Sequence, residues 1–258
     1  MVYFNLSSSL IPYFLTNFMP QNFLQENDAA TPIVYLLYIR MITGYFTQIT
    51  KGLYMKNVRH RLHELPEALY KKISAYKDSK ELLNRLCGKL MLSKLLTDAH
   101  TNGKVTLADI TYNECAKPQV SRAFDFNIAH SGDITICIAS AGHKVGVDIE
   151  EVKSQDILPL KEHFTAREWS VINGSDNITD AFYKLWVRKE ALIKATGKGV
   201  FLPMNKIEAL ADYVNADGQL FFIYDIQIAG GYAAAIATTE HNAICNISEI
   251  ALPALLSR

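Results

Sequence analysis

Asp180–Gly199 reads DAFYKLWVRKEALIKATGKG, and the rest of the chain is ordered around it. Its spacing predicts a helix of about four turns, closed by Gly197 just past the last apolar residue. Phe182, Leu185, Leu192 and Ile193 recur at helical spacing and form an apolar face. Trp186, Glu190 and Lys194 stand four apart and stack along a second face. Taken alone, Glu190 with Lys194 is the kind of ion pair found on many exposed helices, worth about 0.3–0.5 kcal/mol. The same two groups on one face also suit acid–base work, or the binding of a metal or a phosphate.

A second stretch, Val145–Glu151, reads VGVDIEE. Val145, Val147 and Ile149 alternate with Gly146, Asp148 and Glu150, the period-two pattern of a strand with one apolar face. Asp148 and Glu150 therefore project together from the other face. Adjacent carboxylates repel unless a cation lies between them. A third carboxylate from the helix would complete an oxygen-ligand site of the sort magnesium occupies, with a few carboxylates, waters and substrate phosphates. Alone, the Asp-x-Glu pattern is weak evidence and is better explained by an exposed strand face.

A third motif precedes both: Lys117-Pro118, then Phe126-Asn127-Ile128-Ala129-His130-Ser131-Gly132. In this order and at this spacing, the three motifs resemble the signature of the 4′-phosphopantetheinyl transferases. The resemblance is to the two-lobed, monomeric type that includes the surfactin-synthetase-activating enzyme, and it runs from roughly Thr31 to about Ala237. It implies an α+β fold, a pseudo-dimer of two similar lobes, each an antiparallel sheet packed with helices. Residues 1–30 would be an N-terminal extension, 31–141 the N-terminal lobe, and 142–258 the C-terminal lobe carrying the metal site.

The resemblance also implies an activity: transfer of 4′-phosphopantetheine from coenzyme A to a serine of an acyl or peptidyl carrier protein, with Mg²⁺ as cofactor. Asp148, Glu150 and Glu190 would hold the metal. Glu190 would take the serine proton, directly or through a bound water, and a metal-bound water is the other candidate base. Lys194 would stabilise the leaving phosphate. Lys80, Lys117, Asn127, His130 and Ser131 would contact the coenzyme, Lys80 near its 3′-phosphate and His130 at its pyrophosphate. Ala129 departs from the family, which usually has a serine there, so one phosphate contact is in question. An inactive relative that only binds coenzyme A or a carrier protein is the alternative reading, and a structural α+β protein with solvated carboxylates a third.

Composition is consistent with this and narrows it. The 258 residues are 49% hydrophobic, enough for one full core or two modest ones. Twenty-six basic residues balance twenty-six acidic ones, so no basic field favours nucleic acid. The four cysteines, Cys87, Cys115, Cys137 and Cys245, form no Cys-x-x-Cys pair and fit no zinc spacing. They suit a reducing compartment, the cytoplasm. Residues 1–30 carry aromatics but lack the basic start of a secretory signal. Pro12 and Pro20 argue against a membrane span there.

Along the chain, Ile33–Ile39 reads as a buried first strand and Leu65–Tyr76 as a helix. Met41–Glu64 carries no clear pattern. Ser79–Asp98 reads as a long helix with a leucine stripe, and Val105–Ile110 as a short strand. Ile134–Ser140 and Val145–Glu151 read as a hairpin turning at Ala141–Lys144. Thr165 and Glu168 form a capping box at the start of a helix ending at Asn173, with Phe164 stapled to Trp169. Phe221–Gln227, Tyr232–Thr238 and Ala243–Ile250 read as antiparallel strands.

Overall fold

The computed structural model describes residues 41–49, 55–99, 105–120 and 124–257. The expected N-terminal extension and the strand at Ile33–Ile39 lie outside them. The elements are β1 (Met41–Gln48), α1 (Met55–His63), α2 (Glu67–Ser74), α3 (Ser79–Asp98), β2 (Thr111–Tyr112), β3 (Pro118–Gln119), β4 (Phe124–Ser131), β5 (Ile134–Ala141), β6 (Val145–Glu151), α4 (Ala166–Asn173), α5 (Ile178–Thr196), β7 (Tyr213–Ala216), β8 (Gln219–Asp225), β9 (Tyr232–Thr238), β10 (Ile244–Glu249) and α6 (Leu252–Leu256). The α+β class and the two lobes, each with its own sheet, are as expected.

The first sheet has the order β10-β1-β5-β4 and the second β6-β9-β8-β7. Strand alternation sorts the side chains into layers. Cys137, Ala139 and Ala141 of β5 face the helices α1–α3, whereas Ile134, Ile136 and Ile138 face the second sheet. There they meet Val145, Val147 and Ile149 of β6 and Ala234 and Ile236 of β9. Ala235 and Ala237, on the outer face of β9, pack with Ala191, Leu192 and Ala195 of α5. The layers therefore run helices, sheet, sheet, helix, and the two sheets are glued by apolar faces that leave water together.

The sheet edges meet at β4 and β6. Asp125 Oδ2 accepts from the Val145 amide at 2.9 Å, Asn127 Oδ1 from the Val147 amide at 2.9 Å, and Ser131 Oγ from the Glu151 amide at 3.1 Å. These are edge donors of β6 that would otherwise be buried unpaired. Side chains of one sheet thus satisfy the backbone of the other.

Three sequence expectations are corrected. The β5–β6 hairpin does not form, because β5 pairs with β1 along one edge and β4 along the other and has no edge left. The chain turns at Gly142, whose φ is 82°, and enters the second sheet. The last strand, β10, is not a neighbour of β9: it joins the first sheet in parallel with β1, Met41 opposite Ile244 and Phe46 opposite Glu249. After it, Leu252, Leu255 and Leu256 of α6 enter the core under α3. At Val105–Ile110 the strand is replaced by a 3₁₀ turn, Leu107–Asp109, since Thr106 and Asp109 cap each other reciprocally.

α2, α3, α4 and α5 fall where the pattern put them, whereas α1 lies in the stretch that carried no clear pattern and α6 was not read from the sequence. Asn177 caps α5 by accepting from the Asp180 amide, and Gly197 closes it in the left-handed region at φ 71°. The Thr165–Glu168 capping box opens α4, and the Phe164 and Trp169 rings lie 5.9 Å apart. Gly146 sets the distance between β6 and α5: a Cβ there would strike the Ala191 carbonyl and the Ala195 amide, so only glycine allows the helix so near the strand. That approach brings Asp148 and Glu150 under Glu190 and Lys194.

Candidate functional site

A cavity of about 500 Å³ opens between the lobes. Asp148 and Glu150 of β6 and Trp186, Glu190 and Lys194 of α5 form one wall; Asn127, Ala129 and His130 of β4 form the floor; Arg85 and Lys89 of α3, with Lys72 of α2, form the facing wall. One wall is rich in carboxylates and the other in cations. Six of the sequence-predicted residues, Asn127, His130, Asp148, Glu150, Glu190 and Lys194, thereby line a single space.

Asp148 is buried, and that burial pushes its carboxyl up to about 7; Lys194 pulls it down, and the neighbouring Glu150 and Glu190 carboxylates raise it further. Lys194 Nζ bonds Asp148 Oδ1 at 2.5 Å, so the lysine pairs across to the strand and not along its own helix to Glu190. The other oxygen, Oδ2, is buried with no hydrogen-bond partner. Glu150 Oε2 accepts from Ser131 Oγ at 2.7 Å.

With the side chains so placed, no three His, Cys, Asp or Glu groups among the described residues are close enough together to hold a metal. The donor set nonetheless fits a hard divalent cation. Three carboxylates border one cavity, and one of them has a buried oxygen with no other ligand. A cation there would offset the burial that chiefly raises the Asp148 pKa, and with it the lesser repulsion from Glu150 and Glu190.

His130 lies with Nε2 3.7 Å from Glu81 Oε1. Burial lowers its pKa, the Glu81 carboxylate raises it, and Arg85 and Lys194 lower it. The balance favours a neutral ring that donates through one N–H.

Lys117 is placed differently. Its Nζ bonds Asp125 Oδ2 at 2.6 Å and the Val145 carbonyl at 3.1 Å, bridging the two sheets. Burial lowers its pKa while Asp125 raises it. Asn127 and Ser131 likewise bond the β6 backbone. Lys80, at the start of α3, pairs with Asp133 at 2.6 Å and does not line the cavity.

Arg85 and Lys89 were not singled out by sequence reasoning as cavity residues. Four apart on α3, they break its leucine stripe on one face, a signal present in the sequence. Arg85 is held by Glu81 at 2.6 Å and lies over the Tyr76 ring. Burial lowers the Lys89 pKa, against an opposing pull from Cys137, and Lys72 and Arg85 lower it by lesser amounts. No carboxylate among the described residues pairs with it.

A second cavity, also of about 500 Å³, adjoins the first. Ile193, Val200, Leu202, Pro203 and Met204 give it an apolar side, and Glu190, Lys194, Asn127, Ala116 and Pro118 are common to both cavities. Glu190 and Lys194 thus stand at the junction of a charged space and an apolar one.

Comparison with known proteins bears out the resemblance read from the motifs. The family model of the 4′-phosphopantetheinyl transferase superfamily matches residues 144–237, the segment that carries β6, α5 and β9. The 4′-phosphopantetheinyl transferase gsp of Aneurinibacillus migulanus is 33% identical over 132 residues, 50% of this chain and 55% of that protein. The 4′-phosphopantetheinyl transferase Sfp of Bacillus subtilis (strain 168) is 36% identical over 119 residues, 44% and 51% of the two chains. The rat L-aminoadipate-semialdehyde dehydrogenase-phosphopantetheinyl transferase is 31% identical over 159 residues, 53% and 50%. The chain spans about half the length of the curated relatives it matches.

Proposed function

We propose that this protein is a 4′-phosphopantetheinyl transferase, moving phosphopantetheine from coenzyme A to a serine hydroxyl of an acyl or peptidyl carrier protein. The observation that carries the reading is the junction of the two cavities at Glu190 and Lys194. The charged cavity suits the coenzyme's phosphates, and the apolar one the approach of the protein that supplies the serine. The serine oxygen forms a bond to the phosphorus bearing the pantetheine arm, the bond from that phosphorus to the bridging oxygen breaks, and adenosine 3′,5′-bisphosphate leaves.

Each residue has a task in that step. Glu190 accepts the serine proton, directly or through a water. Lys194, one turn along α5, moves from Asp148 to the phosphate and stabilises the charge on the leaving group. His130 donates an N–H to a phosphate oxygen, and Arg85 and Lys89 offset the remaining negative charge. Asp148, Glu150 and Glu190 would hold Mg²⁺, which supplies neutralisation of the pyrophosphate. Lys117, Asn127 and Ser131 act by keeping the lobes in register beneath the coenzyme, and Lys80 meets it only if it leaves Asp133.

The protein works in this reading as a cytoplasmic monomer. No described helix is long and apolar enough to cross a membrane, and the four cysteines are free. The test is incubation with coenzyme A, Mg²⁺ and an apo carrier protein. Carrier that gains one phosphopantetheine supports the reading. Coenzyme A binding, seen as a raised melting midpoint, without transfer to fatty-acid, polyketide or peptide carriers would instead indicate a binding module.

A further inference from the structure

Next to Glu190 on α5, pointing about 100° away from it around the helix, Lys189 is 1% exposed and Glu168 beside it is 0% exposed. Lys189 Nζ donates to Glu168 Oε2 at 2.5 Å and to the Ile207 carbonyl at 2.6 Å. Glu168 Oε2 also accepts from the Thr165 amide at 2.8 Å, and its Oε1 from the Ala209 amide at 2.8 Å. A single buried pair thereby ties the start of α4, the middle of α5, and the chain that returns from residues 199–206.

Otherwise, among the described residues, that returning segment is held only by local turns and by Leu202 and Met204, partly buried against the core beneath α5. Val200 is 94% and Phe201 74% exposed, and Leu202, Pro203 and Met204 wall the second cavity opposite Glu190. The first cavity takes no lining from beyond Lys194. The helix itself has a separate anchor: Arg188 bonds Asp225 at 2.6 and 2.7 Å, Asp212 at 2.9 Å, and the carbonyls of Ala209 and Leu210. Loss of the Lys189–Glu168 pair would therefore leave the segment up to Ile207 held by local turns and apolar packing alone, while α5 and the chain at 209–210 stay in place.

We propose that Lys189 and Glu168 are positioning residues that hold residues 199–206 as one wall of the acceptor's entry to Glu190, so that they govern use of the carrier protein and not of coenzyme A. The kinetic half of this rests on the transferase reading; the structural half does not.

The experiment uses the full chain carrying Lys189→Met and Glu168→Gln together, which removes both charges from the interior and leaves neither uncompensated. Transfer is measured with an apo carrier and coenzyme A, and tryptic cleavage after Lys198 and Lys206 is followed by mass spectrometry. The expected result is a KM for the carrier raised about tenfold, a KM for coenzyme A within about twofold of wild type, and cleavage about tenfold faster. Wild-type cleavage with unchanged KM values overturns the proposal. So does a parallel rise of both KM values, which marks a general loss of structure. Should the double variant fail to fold, Lys189→Gln with Glu168→Gln, which also strands no charge, is read by the same criteria. If wild type modifies no carrier, the transferase reading falls, and the rate of cleavage still decides whether the pair holds the segment.

Discussion

Two lysine–carboxylate pairs sit little more than a turn apart on α5, each with Nζ 2.5 Å from an oxygen. Lys189–Glu168 is closed: both carboxylate oxygens and the ammonium have further partners in the backbone, and neither residue reaches solvent. Lys194–Asp148 is open: Asp148 Oδ2 has no partner, and Lys194 faces the cavity. A satisfied ion pair serves architecture, because any change leaves a charge stranded in the interior. An unsatisfied one is poised to change partners, as chemistry on a phosphate requires. A lysine and a carboxylate at the same distance thus differ in role through the valences left over.

The contrast can be broken from either end. Glu190→Gln, beside the open pair, is expected to lower the transfer rate about 10²–10⁴-fold, the usual contribution of a general base, while the melting midpoint stays near wild type; rate and midpoint are measured on one preparation. Lys189→Met, in the closed pair, is expected to cost about 3–5 kcal/mol of stability, read by denaturant unfolding, because Glu168 keeps a buried charge without its partner. Asp148→Asn should do the opposite of Lys189→Met. Its thermal midpoint holds or rises, since a strained buried carboxylate is replaced by a neutral group, yet the midpoint no longer rises on adding Mg²⁺. A drop in stability as large as that of Lys189→Met would erase the distinction between the two pairs.

A smaller effect comes from the Arg188 anchor. Burial raises the Asp225 pKa, but the hydrogen bond and charge of Arg188, with help from Lys184, outweigh it and leave it below the ordinary value. A carboxylate depressed in the folded state contributes stability that is complete above its unfolded pKa and is lost as pH falls through the folded one. Acid unfolding of wild type should therefore steepen below about pH 4, and Asp225→Asn should be less stable at neutral pH with a flatter acid limb. Parallel acid limbs for the two proteins would show that Asp225 does not contribute.

Much of this was legible in the chain itself, for local reasons. The period of α5 and its closing Gly197, the alternation in β6 and the Thr165–Glu168 box all depend on residues within a few positions of one another. Those same patterns placed Asp148, Glu150, Glu190 and Lys194 on faces that do converge. Strand partners were not legible in the same way. β10 has a strand pattern, but nothing within it says that its edge is completed by β1 some two hundred residues earlier. β5 and β6 look like a hairpin until β1 and β4 are seen to take both edges of β5. The roles of Lys117, Asn127 and Ser131 were hidden for the same reason: their partners are β6 backbone groups that only the packed sheets bring near. The cations Arg85 and Lys89 were present as a break in a leucine stripe, and only the fold shows which wall that break faces.

The most direct test of the account is the mass of an apo carrier protein after incubation with coenzyme A, Mg²⁺ and either wild type or Glu190→Gln. Wild type is expected to add one phosphopantetheine to the carrier, and the variant none over the same interval. Equal gain with both proteins would contradict this, because the carboxylate at the junction of the two cavities would then have no part in the transfer.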